Sequence, residues 1–103
     1  MITLIVNVKI KAEFLDEYII LASKLTKESR QRAGCISYVF NQNIDKPTEF
    51  ALFEQWESQS HLDEHLRALI ILLGEPESGG LLPKKLMGMY ETAEPVSYTA
   101  IEE

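Results

Sequence analysis

Residues 50–65 carry the pattern that most constrains this chain. Up to residue 56, every second side chain points to the same face of an extended strand, because side chains alternate across a strand. That face holds Phe50, Leu52, Glu54 and Trp56. A carboxylate and an indole nitrogen therefore lie on an otherwise apolar face. A buried polar group without a partner costs about 1–3 kcal/mol, so this pair indicates either a structural pairing or a functional site.

A helix is predicted directly after this strand. Ser58 or Ser60 can cap it, because a serine hydroxyl accepts a hydrogen bond from the free N–H groups of the first helical turn. The helix carries His61 and His65 one turn apart, at the spacing that places two side chains on one face. His65 shares its side of the helix with apolar neighbours, and we therefore expect it to face the core.

The hydrophobic spacing of the remaining sequence predicts the other elements. A two-residue spacing indicates a strand, and a three-to-four-residue spacing indicates a helix. In chain order we predict a strand at 2–10, a helix at 12–32 ended by Gly34, strands at 35–42 and 49–56 joined by a turn at 43–48, a helix at 59–73, a loop at 75–80, a short helix within 81–90 with Pro83 in its first turn, and a final strand at 95–101. The order β-α-β-β-α-β is that of the ferredoxin-like α+β class, with a four-stranded antiparallel sheet. We expect residues 1–103 to form a single domain.

Both faces of the predicted sheet carry apolar side chains. Ile5 alternates with Leu4 and Val6, and Phe53 follows Leu52 on the opposite face. In this class the helices cover only one face of the sheet, and no remaining segment is large enough to cover the other. A second copy packed sheet to sheet would cover it, so the pattern predicts a two-fold homodimer.

The charge and the cysteine content exclude several classes of function. A net charge of −6 and a pI near 4.9 disfavour a nucleic-acid groove, which needs basic residues to release counterions, and an anionic membrane surface. The apolar run at 66–73 contains Arg67 and is too short to span a bilayer. Because Cys35 is the only cysteine and no basic segment precedes the first strand, we expect a cytoplasmic protein.

Two short segments resemble a known family. Residues 34–38 read Gly-Cys-Ile-Ser-Tyr, and residues 54–58 read Glu-Gln-Trp-Glu-Ser, with Leu62 and His65 following. Together with the element order, they resemble the antibiotic biosynthesis monooxygenase (ABM) family of dimeric α/β barrels, and within it the small bacterial quinol monooxygenases of the YgiN type. The resemblance covers residues 2–66. It implies oxidation of electron-rich phenols, hydroquinones or anthrones by molecular oxygen, with no metal, flavin or other cofactor.

The chain departs from the family pattern in its second helix and third strand. Many relatives carry a Pro-His pair shortly after the histidine of the second helix, where residues 67–71 read Arg-Ala-Leu-Ile-Ile. The asparagine and tyrosine of the anthrone-oxidising relatives align with Leu52 and Leu62, so that only their tryptophan carries over, at Trp56. These departures leave open a chain that binds a small molecule without oxidising it.

Haem degradation and metal binding are disfavoured. The haem-degrading relatives use an asparagine on the first strand, which Asn7 matches, but their tryptophan and their haem-ligating histidine fall near His65 and Glu75. His61 and His65 have the i, i+4 spacing of metal ligands, but the sequence places no third ligand and contains no HExxH pattern. We therefore predict no metal site.

The candidate catalytic residues are His65, Trp56 and Asn7. His65 is predicted to be the base, because the pKa of a free histidine lies near neutrality; a buried core histidine is the alternative. Trp56 and Asn7 are predicted to orient the substrate and stabilise its anion. The alternatives are a core or interface tryptophan and a cross-strand amide pair. The residues predicted to contact the substrate are Glu54, Tyr38, Phe40 and Leu62, with structural pairing or core packing as their alternative.

The function predicted from these residues is oxidation of a quinol-like or polycyclic phenol by molecular oxygen. The substrate would bind in a small pocket between sheet and helices, bounded by Trp56 and His65. A deprotonated dihydroxyaromatic compound is itself an electron donor to oxygen, so the protein need only bind it, remove a proton, stabilise the anion and exclude water. Two alternatives stay open: an isomerase acting on a small sugar-derived signal, and a non-catalytic small-molecule binding or regulatory dimer.

Overall fold

Four strands and two long helices follow one another in the predicted order. The computed structural model describes residues 1–74 and 83–101. Its elements are β1 (Ile2–Ile10), a 3-10 turn (Ala12–Phe14), α1 (Leu15–Arg30), β2 (Cys35–Gln42), β3 (Glu49–Trp56), α2 (Gln59–Leu73), α3 (Lys84–Met87) and β4 (Tyr90–Thr99). The strands form one antiparallel sheet in the order β2-β3-β1-β4. The predicted ferredoxin-like α+β class, with its four-stranded antiparallel sheet, is confirmed.

Several predicted boundaries are wrong. β4 begins at Tyr90 rather than at residue 95, because it pairs with β1 along nearly its whole length; most of its side chains are exposed, so its sequence lacks a clear buried face. α1 begins three residues later than predicted, after the 3-10 turn. Pro83 is the N-cap of α3 rather than a residue of its first turn. The loop predicted at 75–80 lies outside the described residues.

The turn that follows α1 depends on a glycine. α1 ends at Arg30 with Gln31 as its C-cap, so Gly34 is not the helix-ending residue that was predicted. Gly34 instead has φ +81°, in the left-handed region that side chains disfavour. A Cβ atom at this position would overlap the ring of His61. The carbonyl of Gly34 accepts a hydrogen bond from the N–H of Glu57 at 2.9 Å, which ties the start of β2 to the end of β3.

Helices α1 and α2 cover one face of the sheet and form the core with it. In β3, every second residue from Phe50 to Trp56 is buried on this face. The helices contribute Tyr18, Leu21, Ala22 and Leu25 from α1, and Leu62, His65 and Leu69 from α2. Because an imidazole and several polar-tipped aromatic side chains lie inside this core, it also contains the candidate site.

The other face of the sheet carries an apolar row that crosses all four strands. Val39 of β2 lies opposite Phe53 of β3. Ile5 of β1 lies between Phe53 and Val96 of β4. These four residues are called the open-face row below; Val39 and Val96 are 38% and 43% exposed. The prediction that β1 and β3 carry apolar side chains on both faces is confirmed.

β2 and β4 form the two edges of the sheet. Pro95 lies in β4 opposite Val6, and an edge strand tolerates proline because one side of its backbone needs no ladder hydrogen bond. On the other edge, Arg30 Nε donates a hydrogen bond to the carbonyl oxygen of Tyr38 at 3.1 Å. Each edge therefore carries a feature that interferes with pairing to a further strand.

Candidate active site

β3 ends in a buried carboxylate–indole pair. Glu54 and Trp56 are two residues apart on the strand and point to the same face; they are 3% and 0% exposed. The indole Nε1–H donates a hydrogen bond to Glu54 Oε1 at 2.8 Å. This bond satisfies the only donor of the indole and gives the carboxyl group one partner.

α2 brings an imidazole onto this pair. Its N-cap is Ser58, whose hydroxyl accepts a hydrogen bond from the N–H of His61 at 3.3 Å. His65 lies two turns after Ser58 and is 1% exposed. Its ring stacks on the indole of Trp56 with centroids 4.6 Å apart and 29° between the planes, and its Nε2 lies 3.8 Å from Glu54 Oε1. Glu54, Trp56 and His65 are called the buried polar cluster below.

Tyr38 borders the cluster from β2. It lies opposite Glu54 in the strand register, and its ring meets that of His65 edge-on with centroids 5.4 Å apart. Burial raises the pKa of Tyr38, and the charge of Glu54 acts in the same direction. The phenol therefore stays protonated near neutral pH and acts only as a hydrogen-bonding group.

Burial sets the protonation states of the acid and the imidazole. It raises the pKa of Glu54 from 4.5 to about 7, an effect that the hydrogen bond from Trp56 partly offsets. Burial also lowers the pKa of His65 from 6.5 to about 4, and the positive charge of Arg32 adds to this lowering. Near neutral pH the imidazole is therefore uncharged, and its lowered pKa makes it a weaker base than a free histidine.

Three buried polar atoms in this part of the core have no hydrogen-bond partner among the described residues. They are Ser29 Oγ, Arg32 Nε and His65 Nδ1. Neither Ser29 nor Arg32 was among the residues predicted from the sequence to belong to the site. Ser29 had a signal, since it follows the core residue Leu25 by four positions on the buried face of α1. Because nearly all buried polar atoms in proteins are paired, unpaired ones mark places where water or a ligand can bind.

Asn7 is separated from the other two predicted catalytic residues. It is exposed and lies between the buried residues Val6 and Val8 of β1, so its side chain is on the open face of the sheet. Trp56 and His65 lie on the opposite face, under the helices. One small substrate cannot contact Asn7 together with these two rings in the same subunit, so the structure does not bring the three predicted catalytic residues together.

The remaining candidate residues contribute to packing. Leu62 is buried in the core, and Phe40 packs edge-on against Tyr18 with ring centroids 6.0 Å apart; whether either contacts a substrate stays a prediction. His61 lies apart from His65, with its Nδ1 2.8 Å from Ser58 Oγ. Within residues 1–74 and 83–101, no three His, Cys, Asp or Glu side chains come together as a possible metal site. Over the same ranges, no helix is long and apolar enough to cross a membrane.

Trp56 and His65 were predicted to bound a small pocket between the sheet and the helices. The two rings stack directly on each other and leave no gap. A cavity of about 380 Å³ lies instead on the open face, where Asn7, Asn41 and Glu94 border it. A larger cavity of about 660 Å³ lies between α1 and β2. Neither cavity is lined by a residue of the buried polar cluster.

Fold and cluster together define a ferredoxin-like protein with an acid–imidazole pair in its core. The sequence profile of the antibiotic biosynthesis monooxygenase family matches residues 1–69, a range that includes the whole buried polar cluster. The chain belongs to this family, which confirms the resemblance found in the sequence.

Proteins of known structure share the fold of this chain. The chain is similar to a protein of Nitrosomonas europaea (17% identity, TM-score 0.81, covering 99% of this chain and 100% of that one). It is also similar to an antibiotic biosynthesis monooxygenase of known structure (22% identity, TM-score 0.76, 99% and 100% covered) and to a conserved protein of Methanosarcina mazei Go1 (22%, 0.74, 94% and 89%). At these identities the likeness is one of fold.

A curated relative matches at higher identity over a shorter stretch. An uncharacterized protein of Synechocystis sp. (strain ATCC 27184 / PCC 6803 / Kazusa) is 34% identical over 61 residues. The match spans 59% of this chain and 42% of the length of that relative. It supports a shared domain and carries no information about substrate.

Proposed function

We propose that this protein is a cofactor-independent monooxygenase that oxidises a quinol-like phenol with molecular oxygen. Membership of the ABM family supports the general class of activity. The observation that carries the proposal is the environment of His65. Its Nδ1 is buried without a partner among the described residues, while its Nε2 faces the carboxyl group of Glu54. A base oriented by a second group is the arrangement that proton abstraction requires.

In the proposed reaction the substrate supplies all of the electrons. His65 Nδ1 accepts the proton of a substrate hydroxyl, and above pH 7, where Glu54 is ionised, its carboxylate stabilises the imidazolium that forms. The substrate anion passes one electron to oxygen, and the two radicals combine at a ring carbon to give a hydroperoxide. Loss of water then leaves a quinone. One hydroquinone and one O₂ thus give one hydroxyquinone and one water, so that the substrate gives up four electrons.

Trp56 is proposed to provide the aromatic surface on which the substrate ring stacks. In the structure His65 occupies that surface, with the two rings 4.6 Å apart. Binding therefore requires the imidazole to move away from the indole.

Oxygen consumption with a hydroquinone tests this proposal. We expect consumption of O₂ by the wild type, with a hydroxyquinone as product, and loss of this activity in His65→Ala. His61→Ala is the matched control, because it removes the histidine that lies outside the cluster, and most of the activity is expected to remain. Equal rates in the wild type and His65→Ala would refute the role of the base. Turnover under strict anaerobiosis would refute oxidation and favour an isomerase.

A non-catalytic small-molecule binding or regulatory protein is the second candidate function. The burial of Trp56 and His65, at 0% and 1% exposure, favours it, because the proposed catalytic rings are closed to a substrate, whereas two cavities away from them are open to a small molecule. In this case quinols in a thermal-shift screen would raise the melting temperature, and no product would form. Detection of a hydroxyquinone by mass spectrometry would refute this second candidate.

We also propose that the protein acts as a homodimer whose sheets pack on each other. The open-face row supports this, since apolar side chains on a sheet face stabilise a structure when a second layer removes them from water. Sedimentation equilibrium is expected to give the mass of a dimer for the wild type and of a monomer for Val96→Asp. Ile71→Asp changes an isoleucine that is 87% exposed on α2 and should remain dimeric. A monomeric wild type would refute the proposal.

A further inference from the structure

A groove lies between α1 and the edge strand β2, away from the buried polar cluster. Its volume of about 660 Å³ falls within the range of roughly 300–1,000 Å³ that is typical of small-molecule sites. The residues that α1 and its C-cap contribute recur every three or four positions from Ile19 to Gln31 and so form one stripe along the helix. At about 1.5 Å per residue, this stripe is roughly 18 Å long. We refer to it as the α1–β2 groove.

One end of the α1–β2 groove is apolar. Ile19 and Ala22 line it from the helix, and Phe40 and Phe50 line it from the sheet. Tyr18, the neighbour of Ile19, packs on both phenylalanine rings with centroids 6.0 and 5.1 Å away. The two rings therefore lie beside the N-terminal half of α1. A flat or linear apolar group has a matching surface at this end.

The other end of the groove carries two positive charges. Lys27 and Arg30 both line it, and neither forms an ion pair with a residue in the ranges that the structure describes. The guanidinium of Arg30 is anchored by its Nε–H bond to the carbonyl of Tyr38 at 3.1 Å, and this bond does not use its two terminal nitrogens. In a chain of net charge −6, two such cations beside an apolar surface complement a ligand with an anionic group.

We propose that the α1–β2 groove binds a small amphipathic organic anion. The ligand has an apolar body of one or two rings, or a short alkyl chain, and one carboxylate or sulfonate group. Its body lies against Phe40 and Phe50, and its anionic group lies between Lys27 and Arg30. The site is independent of the chemistry proposed for the buried polar cluster, because the two share no residue.

A strand from another chain is the competing occupant, since β2 is an edge strand. The hydrogen bond from Arg30 to the carbonyl of Tyr38 engages one backbone acceptor of this edge. A strand held by backbone hydrogen bonds would also leave the two cations of the groove without a counter-charge. Both observations favour the small anion.

Binding of 8-anilinonaphthalene-1-sulfonate to the full chain tests the proposal, because this probe is an aromatic anion whose fluorescence rises in apolar surroundings. We expect saturable binding to one site per chain. Lys27→Glu should raise the Kd of the probe about tenfold, since it replaces an attraction by a repulsion. Lys24→Glu, which reverses an exposed charge of α1 outside the groove, should change the Kd less than about twofold.

Two further measurements separate the charged end from the apolar end. Decanoate should displace the probe at about fivefold lower concentration than decanol, because only decanoate has a charge for Lys27. Ser23→Phe, which fills the groove from α1, should abolish binding. Equal effects of the two charge reversals, or equal displacement by decanoate and decanol, would overturn the proposal. Release of the probe when the chain self-associates would show that the groove is a contact between copies, which also overturns it.

A milder substitution covers the case in which charge reversal disturbs the helix. Lys27→Gln shortens the side chain only slightly and removes its charge. Its melting temperature should stay within a few degrees of that of the wild type, which shows that the helix is intact. The Kd of the probe should rise about threefold. An unchanged Kd in Lys27→Gln would contradict the role of the cation.

Discussion

Glu54 and His65 are predicted to change the free energy of unfolding with pH in opposite directions, so that the wild type shows little net effect. The folded-state pKa of Glu54 is about 7 against an ordinary 4.5, so its contribution to stability is complete below pH 4.5 and is lost as the pH rises through 7. The folded-state pKa of His65 is about 4 against an ordinary 6.5, so its contribution is complete above pH 6.5 and is lost as the pH falls through 4. Between pH 4.5 and 6.5 the two side chains together hold one proton in both states: on Glu54 in the folded protein and on His65 in the unfolded protein. Because no proton is gained or lost on unfolding, the two effects on stability nearly cancel.

Removing one partner is expected to expose the pH dependence of the other. For either group, the difference between folded and unfolded pKa corresponds to roughly 3 kcal/mol, at about 1.4 kcal/mol for each tenfold change in proton affinity. In Glu54→Gln, the free energy of unfolding should fall by roughly this amount as the pH falls from 6.5 to 4. In His65→Gln, it should fall by a similar amount as the pH rises from 4.5 to 7. The side-chain amide introduced by Glu54→Gln still offers an oxygen to the indole, so this variant keeps the hydrogen bond from Trp56.

Urea unfolding followed by tryptophan fluorescence, at closely spaced pH values, measures these profiles. Glu64→Gln is the matched control, because this glutamate is exposed on the same helix as His65, and its profile should parallel that of the wild type. Parallel profiles in the wild type and in both cluster variants would refute the reasoning. So would nitrogen chemical shifts showing that His65 is an imidazolium near pH 6, since the proton would then reside on the other partner.

Three smaller changes test the local structure around the site. Gly34→Ala should lower the free energy of unfolding by about 1–3 kcal/mol, because it strains the positive φ and overlaps a neighbouring ring; adding His61→Ala should recover part of this loss in chemical denaturation. Trp56→Phe removes the N–H donor of the buried carboxyl and should cost about 1–3 kcal/mol, more above pH 7 than below pH 4.5; a loss that does not vary with pH would contradict this. Ser58→Ala should cost about 1 kcal/mol through loss of the N-cap, with Ser60→Ala as a near-neutral control in thermal melts.

The elements with strong local patterns were predictable from the sequence. β3 and α2 have the predicted bounds, because each has a regular apolar spacing with one buried face. The same spacing was enough to place Glu54 and Trp56 on one face of the strand and to point His65 inward. In each case the direction of a side chain follows from the period of its own element.

What the sequence could not supply was distance between elements. Spacing predicts that Trp56 and His65 both face the core, but their contact across 4.6 Å, which leaves no pocket between them, depends on how α2 packs on the sheet. The position of Asn7, in contrast, was predictable from the sequence, since the alternation of β1 already placed it on the other face of the sheet. The unpaired nitrogen of Arg32 had no periodic signal, because that residue follows the end of α1.

The borders of the sheet bear on how copies of this chain can associate. Pro95 leaves β4 without one N–H group, and Arg30 engages a carbonyl of β2. Neither border is a good template for a ladder that continues from molecule to molecule, which is the geometry of fibrils. In the proposed homodimer the copies would instead meet through the broad surface of the sheet. Such a two-fold contact would bury that surface on both copies, and growth would stop at a closed complex.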